Sequence, residues 1–177
     1  MLTYEEMTSG LRAKLSERRF IHSLGVMDTA VELAALYGVD ETKCRTAGLL
    51  HDCAKYLSTQ QMIALIAEYV IILYPGEQDY PYLLHAPAGV AVAKRDYGVF
   101  DEEILSAIRC HTVGSKNMSL LDTIIFVADY IEPNRSPFEG LEQVRQLARK
   151  DIFAAMELEK KLTRAYCDQT GKRVFTI

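Results

Sequence analysis

Residues 16–38 read SERRFIHSLGVMDTAVELAALYG, and their periodicity decides the fold class. A serine able to accept a hydrogen bond from the first turn opens the segment, and a glycine able to take a left-handed backbone closes it. Between them Phe20, Leu24, Met27, Val31 and Ala34 recur at i, i+4, i+7, i+11 and i+14, the spacing of one buried stripe on an α-helix. The same signals extend to both sides. Upstream, Thr3 and Glu6 have the form of a capping box ahead of Met7, Leu11 and Leu15. Downstream, Asp40 is placed to cap a helix running through Ala47 and Leu50 to about Ala54, and Ser58 with Gln61 opens another that reaches about Val70.

From Ile71 to Tyr82 the pairs Pro75-Gly76 and Tyr80-Pro81 predict a loop. Helices are expected over roughly 85–97, stopped by Gly98, over 101–111, and over about 119–131, with Pro133 and Pro137 breaking the pattern afterwards. Residues 140–168 read as one helix, or as two broken near Lys150-Asp151. No window alternates as a strand bounded by hairpin turns would, although the tail from Arg173 to Ile177 could be extended. The expectation is all-α: a single helical bundle over residues 1–177, with a motif-bearing core at about 18–135 and C-terminal helices at about 138–168.

Composition agrees with such a domain. Of the 177 residues 49% are hydrophobic and 25% charged, enough apolar material for one core. A net charge of -4 argues against a general nucleic-acid binder, but leaves room for a local basic pocket around a phosphate ester. The charged N-terminus lacks the apolar core of a signal peptide, and the longest candidate for a membrane span, Ile63 to Tyr74, is short and contains Glu68. Cys44, Cys53, Cys110 and Cys167 form neither a C-x-x-C pair nor a disulfide framework. A cytoplasmic location is expected, with no membrane and no nucleic-acid partner.

The four histidines fall in telling places. His22 lies mid-helix beside the apolar stripe, His51 is followed by Asp52 after the run Ala47-Gly-Leu-Leu50, His85 opens a helix and His111 closes one. Asp129 follows Ile124-Ile-Phe-Val-Ala128, where a carboxylate should not be buried unpaired. Each alone has an ordinary explanation: core histidines are common, and an aspartate can end a helix or pair with a base. Together they supply imidazole and carboxylate donors of the kind that hold Fe, Mn, Zn or Ni, and packed helices can bring such donors to one point. Adjacent His51 and Asp52 would point about 100° apart on a helix, so both reach one centre only from a helix end. A break soon after Asp52 would allow it. Cys53 and Cys110 flank these histidines but should point elsewhere, into the core.

The blocks RRFIHSLGV (18–26), AGLLHDCAK (47–55), LLHAPAGV (83–90), AIRCHT (107–112) and VADYIEPNR (127–135) occur in this order. In them the chain resembles the HD-domain superfamily, and more closely its YqeK family, whose members hydrolyse diadenosine tetraphosphate symmetrically. The likeness covers nearly the whole chain; only the small residues of HAPAGV look slightly variant, which bears on nucleotide fit rather than on a metal. The resemblance implies a metal site made by His22, His51, Asp52 and Asp129, holding iron first among the divalent transition metals, with Mn, Zn, Ni or Co also compatible, as one or two ions. It also implies a homodimer, for which apolar surface on helices after Arg135 is available.

The resulting expectation is a metal-dependent hydrolase that cleaves diadenosine tetraphosphate to two ADP with activated water. Asp52, His85 and His111 are the expected catalytic residues. Arg19, His22, Asp52, Lys55, His85, His111 and Arg135 are the expected substrate-binding set. Asp52 would orient the attacking water, while His85 and His111 would bind a second metal or donate to phosphate oxygens. Arg19 shares a helix face with His22, Lys55 would share one with Asp52, and Arg135 stands in the irregular segment after Asp129. Arg18 and Arg109 are read as solvated or salt-bridged. Tyr80, Tyr82 and Tyr130 suit either adenine stacking or ordinary packing. No G-x-S-x-G or P-loop occurs, so a covalent serine mechanism is not expected. Two alternatives stay open: an HD phosphohydrolase acting on another nucleotide or phosphate ester, and a regulatory module that binds nucleotides without cleaving them.

Overall fold

The computed structural model of the chain describes residues 1–171. The extended tail expected over 173–177 lies outside the described residues. Among those described, the regular structure is helical: α1 (Tyr4–Lys14), α2 (Glu17–Tyr37), α3 (Glu41–Leu50), α4 (Thr59–Glu68), α5 (His85–Tyr97), α6 (Glu102–Cys110), α7 (Leu120–Ile131), α8 (Leu141–Ala148) and α9 (Ile152–Thr170). The segment between α4 and α5 holds two short 3-10 turns, Glu77–Asp79 and Pro81–Leu83.

The caps read from sequence set the helix starts. Thr3 and Ser58 form capping boxes with Glu6 and Gln61, Ser16 accepts from the Arg19 N–H, and Asp40 accepts from Thr42 and Lys43. Helix α2 ends at Gly38, whose φ of 69° is the left-handed stop expected of it. The C-terminal region is two helices, with Asp151 capping the second.

The α2 stripe is rotated relative to the sequence expectation. Leu24 and Val31 are only half-buried, and the inward face runs through Ser23, Val26, Met27, Ala30, Leu33 and Ala34. The reason is packing on two sides: α2 lies against both α3 and α7, so its buried arc is wider than one stripe and is centred on the small residues. At Gly48 of α3 an added Cβ would sit 2.8 Å from the Met27 Cα, so the glycine permits the close approach of α2 and α3.

Helix α7 is the axis of the bundle. It packs against α2, α3, α6, α8 and α9. Ile124, Ile125, Val127 and Ala128 have no exposed surface, which explains why this segment is apolar all round. Each such isoleucine or valine contributes about 1.5–3 kcal/mol through burial. A polar residue at the end of this helix is thereby held within a rigid core, and that residue is Asp129.

Two helices stop earlier than expected. Helix α3 ends at Leu50 rather than near Ala54, and residues 51–57 continue as turns with bonds from Cys53 to Leu50, Lys55 to Asp52 and Leu57 to Ala54. Helix α4 ends at Glu68 in a Schellman closure: Ile71 N–H bonds to Ile66 O, while Val70, with φ 51°, occupies the left-handed position.

Candidate metal centre

Five helices deliver six side chains to one point. His22 comes from the middle of α2, His51 and Asp52 from the turn where α3 ends, His85 from the first residue of α5, His111 from the residue after α6, and Asp129 from the last turn of α7. All four histidines and Asp52 are buried, while Asp129 keeps 21% of its side chain exposed. The early end of α3 matters here, since it is the helix end that lets His51 and Asp52 face the same centre.

The imidazoles are oriented from behind. Nδ1 of His51 donates to Gly48 O at 2.7 Å, Nδ1 of His85 to Tyr82 O at 2.7 Å, and Nδ1 of His111 to Ile108 O at 2.8 Å. A carbonyl can only accept, so these nitrogens carry protons and each Nε2 is turned inward. His22 is held by a carboxylate instead: its Nδ1 lies 3.1 Å from Oε1 of the buried Glu132. Oε2 of Glu132 accepts from the Asn134 backbone at 2.7 Å and from its side-chain amide at 3.0 Å. Gly25 makes room for this carboxylate, because a Cβ there would strike Oε2.

In front, the donors fall into two groups that share Asp52. His22 Nε2 is 3.2 Å from His51 Nε2 and 3.0 Å from Asp129 Oδ1, and Asp52 Oδ2 lies 3.5 Å from His51 Nε2. Asp52 Oδ1 turns the other way, 3.4 Å from His85 Nε2 and 3.5 Å from His111 Nε2, which are themselves 3.1 Å apart. Pairs of ring nitrogens at such distances need a positive centre on or between them, either a proton or a cation. Burial and the neighbouring His111 push the His85 pKa down to about 3, so His85 is uncharged at neutral pH and keeps only its Nδ1 proton. Burial pushes the Asp52 carboxyl up, but His51, His111 and His85 outweigh it and hold the group well below the usual carboxylate range. Asp129 is likewise opposed by burial yet held low by His22, His51 and Arg135. Imidazole nitrogens and ionised carboxylates converging on one buried point are a donor set that fits a divalent transition metal.

Arg19 and Arg135 sit at the mouth and are already engaged. Arg19 Nη1 donates to Asp52 Oδ2 at 2.6 Å, and Arg135 donates to Asp129 Oδ1 at 2.6 Å and to the Asp129 carbonyl. Each side chain is more than a third exposed, so each can present further N–H groups outward. Lys55 is half-buried among Asp52, Asp129 and the two arginines; burial lowers its pKa and the carboxylates partly restore it. Arg18 is exposed.

Arg109 is salt-bridged: it grips the buried Glu77 with two nitrogens and stacks over the Tyr74 ring at 4.0 Å. This pins the 71–84 segment to α6 and so ties together the backbones that orient His85 and His111. Cys53 and Cys110 are buried thiols whose pKa values are pushed up by burial, so neither is a thiolate. Tyr130 packs edge-on against Phe138 at 5.2 Å, and Tyr80 against Tyr82 at 5.9 Å. Sequence reasoning missed Glu132, Glu77, Thr112 and the buried Glu159. The first and third lie inside blocks already singled out, so their proximity to Asp129 and His111 was the available signal.

A helical bundle whose helix ends gather paired His and Asp residues around a buried centre defines the HD class of proteins, and the chain belongs to the HD-domain family, whose model matches residues 19–134. It is 41% identical to the symmetrical bis(5'-nucleosyl)-tetraphosphatase of Bacillus subtilis over 171 residues, covering 97% of this chain and 91% of that protein. It is 46% identical to the protein of the same name from Halalkalibacterium halodurans over 149 residues, 82% of this chain and 77% of that one. Among solved structures it superposes with a TM-score of 0.93 on an HD superfamily hydrolase from Clostridium acetobutylicum described as involved in NAD metabolism, at 42% identity, covering 99% of this chain and 92% of that one.

Proposed function

We propose that this chain is a metal-dependent symmetrical bis(5'-nucleosyl)-tetraphosphatase that hydrolyses diadenosine tetraphosphate to two ADP. The observation that carries the reading is the bipartite donor set centred on Asp52, in a chain 41% identical over nearly its whole length to a protein bearing that name. His22, His51, Asp129 and Asp52 Oδ2 would hold one ion. Asp52 Oδ1, His85 and His111 form a second set, favouring two ions over a purely hydrogen-bonding role for these histidines. Iron is the proposed metal, in keeping with nitrogen and carboxylate donors. A bound divalent metal supplies Lewis acidity and lowers the pKa of water toward neutrality.

Asp52, already ionised, accepts a hydrogen bond from the attacking water and so orients it, and the water's proton passes to solvent. The water oxygen bonds to one of the two inner phosphorus atoms, the central P–O–P bridge breaks, and the bridging oxygen leaves with the second ADP. Arg19 and Arg135 turn their remaining N–H groups to the polyphosphate, and Lys55 adds positive charge behind them. Half-burial of Asp129 and the arginines gives the centre one open side, through which an elongated substrate reaches it. No helix among the described residues is long and apolar enough to cross a membrane, in keeping with the cytoplasmic location we propose for it.

Metal-loaded protein should turn diadenosine tetraphosphate into ADP alone by ion-exchange chromatography. ATP with AMP would refute the symmetrical assignment. Metal analysis of His85→Ala and His111→Ala tests the second ion: each should lose about half the bound metal if the two sets bind equally, and unchanged content would return these residues to phosphate binding.

A further inference from the structure

Helix α7 ends at a fixed point. Pro133 follows Glu132, and a residue before proline is driven out of the helical region, as the ψ of 151° at Glu132 shows. The last carbonyls of α7 therefore lose their partners within the helix. Two arginines replace those partners. Arg135 takes the Asp129 carbonyl, while Arg145, from the middle of α8, donates through Nε to Ile131 O and through Nη2 to Glu132 O, each at 2.9 Å. Leu141, Val144 and Ala148 bury one face of α8 and fix its rotation, which sets the direction of Arg145. Nε and Nη2 lie on one edge of a planar guanidinium, so the group spans two neighbouring carbonyls as a rigid fork. The Glu132 backbone held by this fork carries the carboxylate behind His22. Its N–H donates to Ala128 O at 3.0 Å, its carbonyl also accepts from the Arg135 N–H at 3.2 Å, and its Oε1 lies 3.1 Å from His22 Nδ1.

We propose that Arg145 is a positioning residue of the metal centre: its fork holds the end of α7 so that the Glu132 carboxylate meets His22 Nδ1 and keeps Nε2 turned to the metal. Arg145 itself touches neither metal nor substrate. The role rests on His22 being a metal ligand, as in the reading above, and is independent of which phosphate ester is cleaved. A lysine at this position would keep positive charge at the C-terminal end of α7, but its single ammonium has no fork with which to hold two carbonyls in one plane. Loss of a group that orients a ligating histidine directly costs about 10- to 100-fold in metal affinity, and a group one bond further back should cost less, about 3- to 10-fold.

The test uses the full chain loaded with zinc, a diamagnetic probe, and reads the ring N–H resonances of the four histidines by NMR, with His22 assigned through His22→Gln. Arg145→Gln removes the fork, and Arg145→Lys keeps the charge without it. Tyr37→Phe is the control, since the Tyr37 hydroxyl ties the same helix to α2 by donating to Ala148 O at 2.8 Å. In both Arg145 variants the His22 Nδ1 proton should move upfield while the other three histidines keep the parent's positions. Zinc affinity, read by chelator competition, should fall about 3- to 10-fold in Arg145→Gln. Tyr37→Phe should be less stable in urea with both readouts at the parent's values. A parent-like His22 resonance in Arg145→Gln, or parent-like zinc affinity, would overturn the proposal. Equal effects in Tyr37→Phe would overturn it too, by reducing Arg145 to a brace of α8. Should Arg145→Gln fail to fold, Arg145→Lys decides by the same criteria. Undiminished zinc binding by His22→Gln would instead refute the ligand assignment on which the proposal rests.

Discussion

Glu132→Gln isolates the carboxylate behind His22. Oε1 sits 3.1 Å from His22 Nδ1, while Oε2 accepts two bonds from Asn134, at 2.7 and 3.0 Å. A glutamine has one acceptor oxygen for these two duties. Facing His22, it leaves its NH2 group against two N–H donors of Asn134; facing Asn134, it points NH2 at Nδ1. The second arrangement keeps more hydrogen bonds, and it forces Nδ1 to become the acceptor. The His22 proton then moves to Nε2, the atom 3.0 Å from Asp129 and 3.2 Å from His51 at which a metal would be ligated. Changes to such a supporting carboxylate typically weaken metal affinity about 10- to 100-fold, or about 1.4–2.7 kcal/mol. The assay is a titration of metal-free protein against a chromophoric chelator at pH 7.5, paired with urea unfolding of the same metal-free samples. Weakened metal binding is expected even after any loss of stability is measured separately. Lower stability with unchanged metal affinity would refute the orienting role and leave Glu132 as a packing residue.

Val70→Gly should stabilise the protein, because an exposed β-branched residue at φ 51° carries strain of about 1–2 kcal/mol, of which glycine's extra unfolded-state entropy offsets roughly half; calorimetry should show a Tm rise of about 1–4 °C, and a fall would contradict it. Two buried groups oppose one another in the pH dependence of the metal-free protein. His85 is held down to about 3, so the unfolded chain binds the extra proton between that value and pH 6.5 and stability rises with pH there; Glu159 is held well above 4.5, by burial first and then by Asp129, so above pH 4.5 the folded chain binds the extra proton and stability falls as pH rises. Each slope is about 1.4 kcal/mol per pH unit, and Glu159→Gln removes only the second, so urea melts of that variant from pH 5 to 6.5 should rise more steeply with pH than the parent's; parallel profiles would refute it.

How much of this was legible beforehand depends on the range of the interaction. Capping boxes at Thr3 and Ser58 and the stop at Gly38 are local, and local spacing sufficed to read them. The arc that α2 buries was not, because it is set by two neighbours, α3 and α7, whose positions no window of α2 contains. Similarly, Cys53 and Ala54 are compatible with helix, so nothing local marks the end of α3 at Leu50, where the chain passes into turns. The histidines stood out through rarity and position. Glu132 did not, since its meaning lies 110 residues away at His22, and Glu77 pairs with Arg109 across 32 residues. Arg19 and Arg135 were visible as basic neighbours of the motifs, but their engagement with Asp52 and Asp129 needed three dimensions.

The central claim is that water held at the Asp52 centre cleaves the middle bridge of a dinucleoside tetraphosphate. Hydrolysis of diadenosine tetraphosphate by the metal-loaded protein in oxygen-18 water, read by mass spectrometry, addresses it most directly. ADP is expected as the sole nucleotide product, with one labelled oxygen in half of the molecules. Labelled ATP or AMP would contradict it.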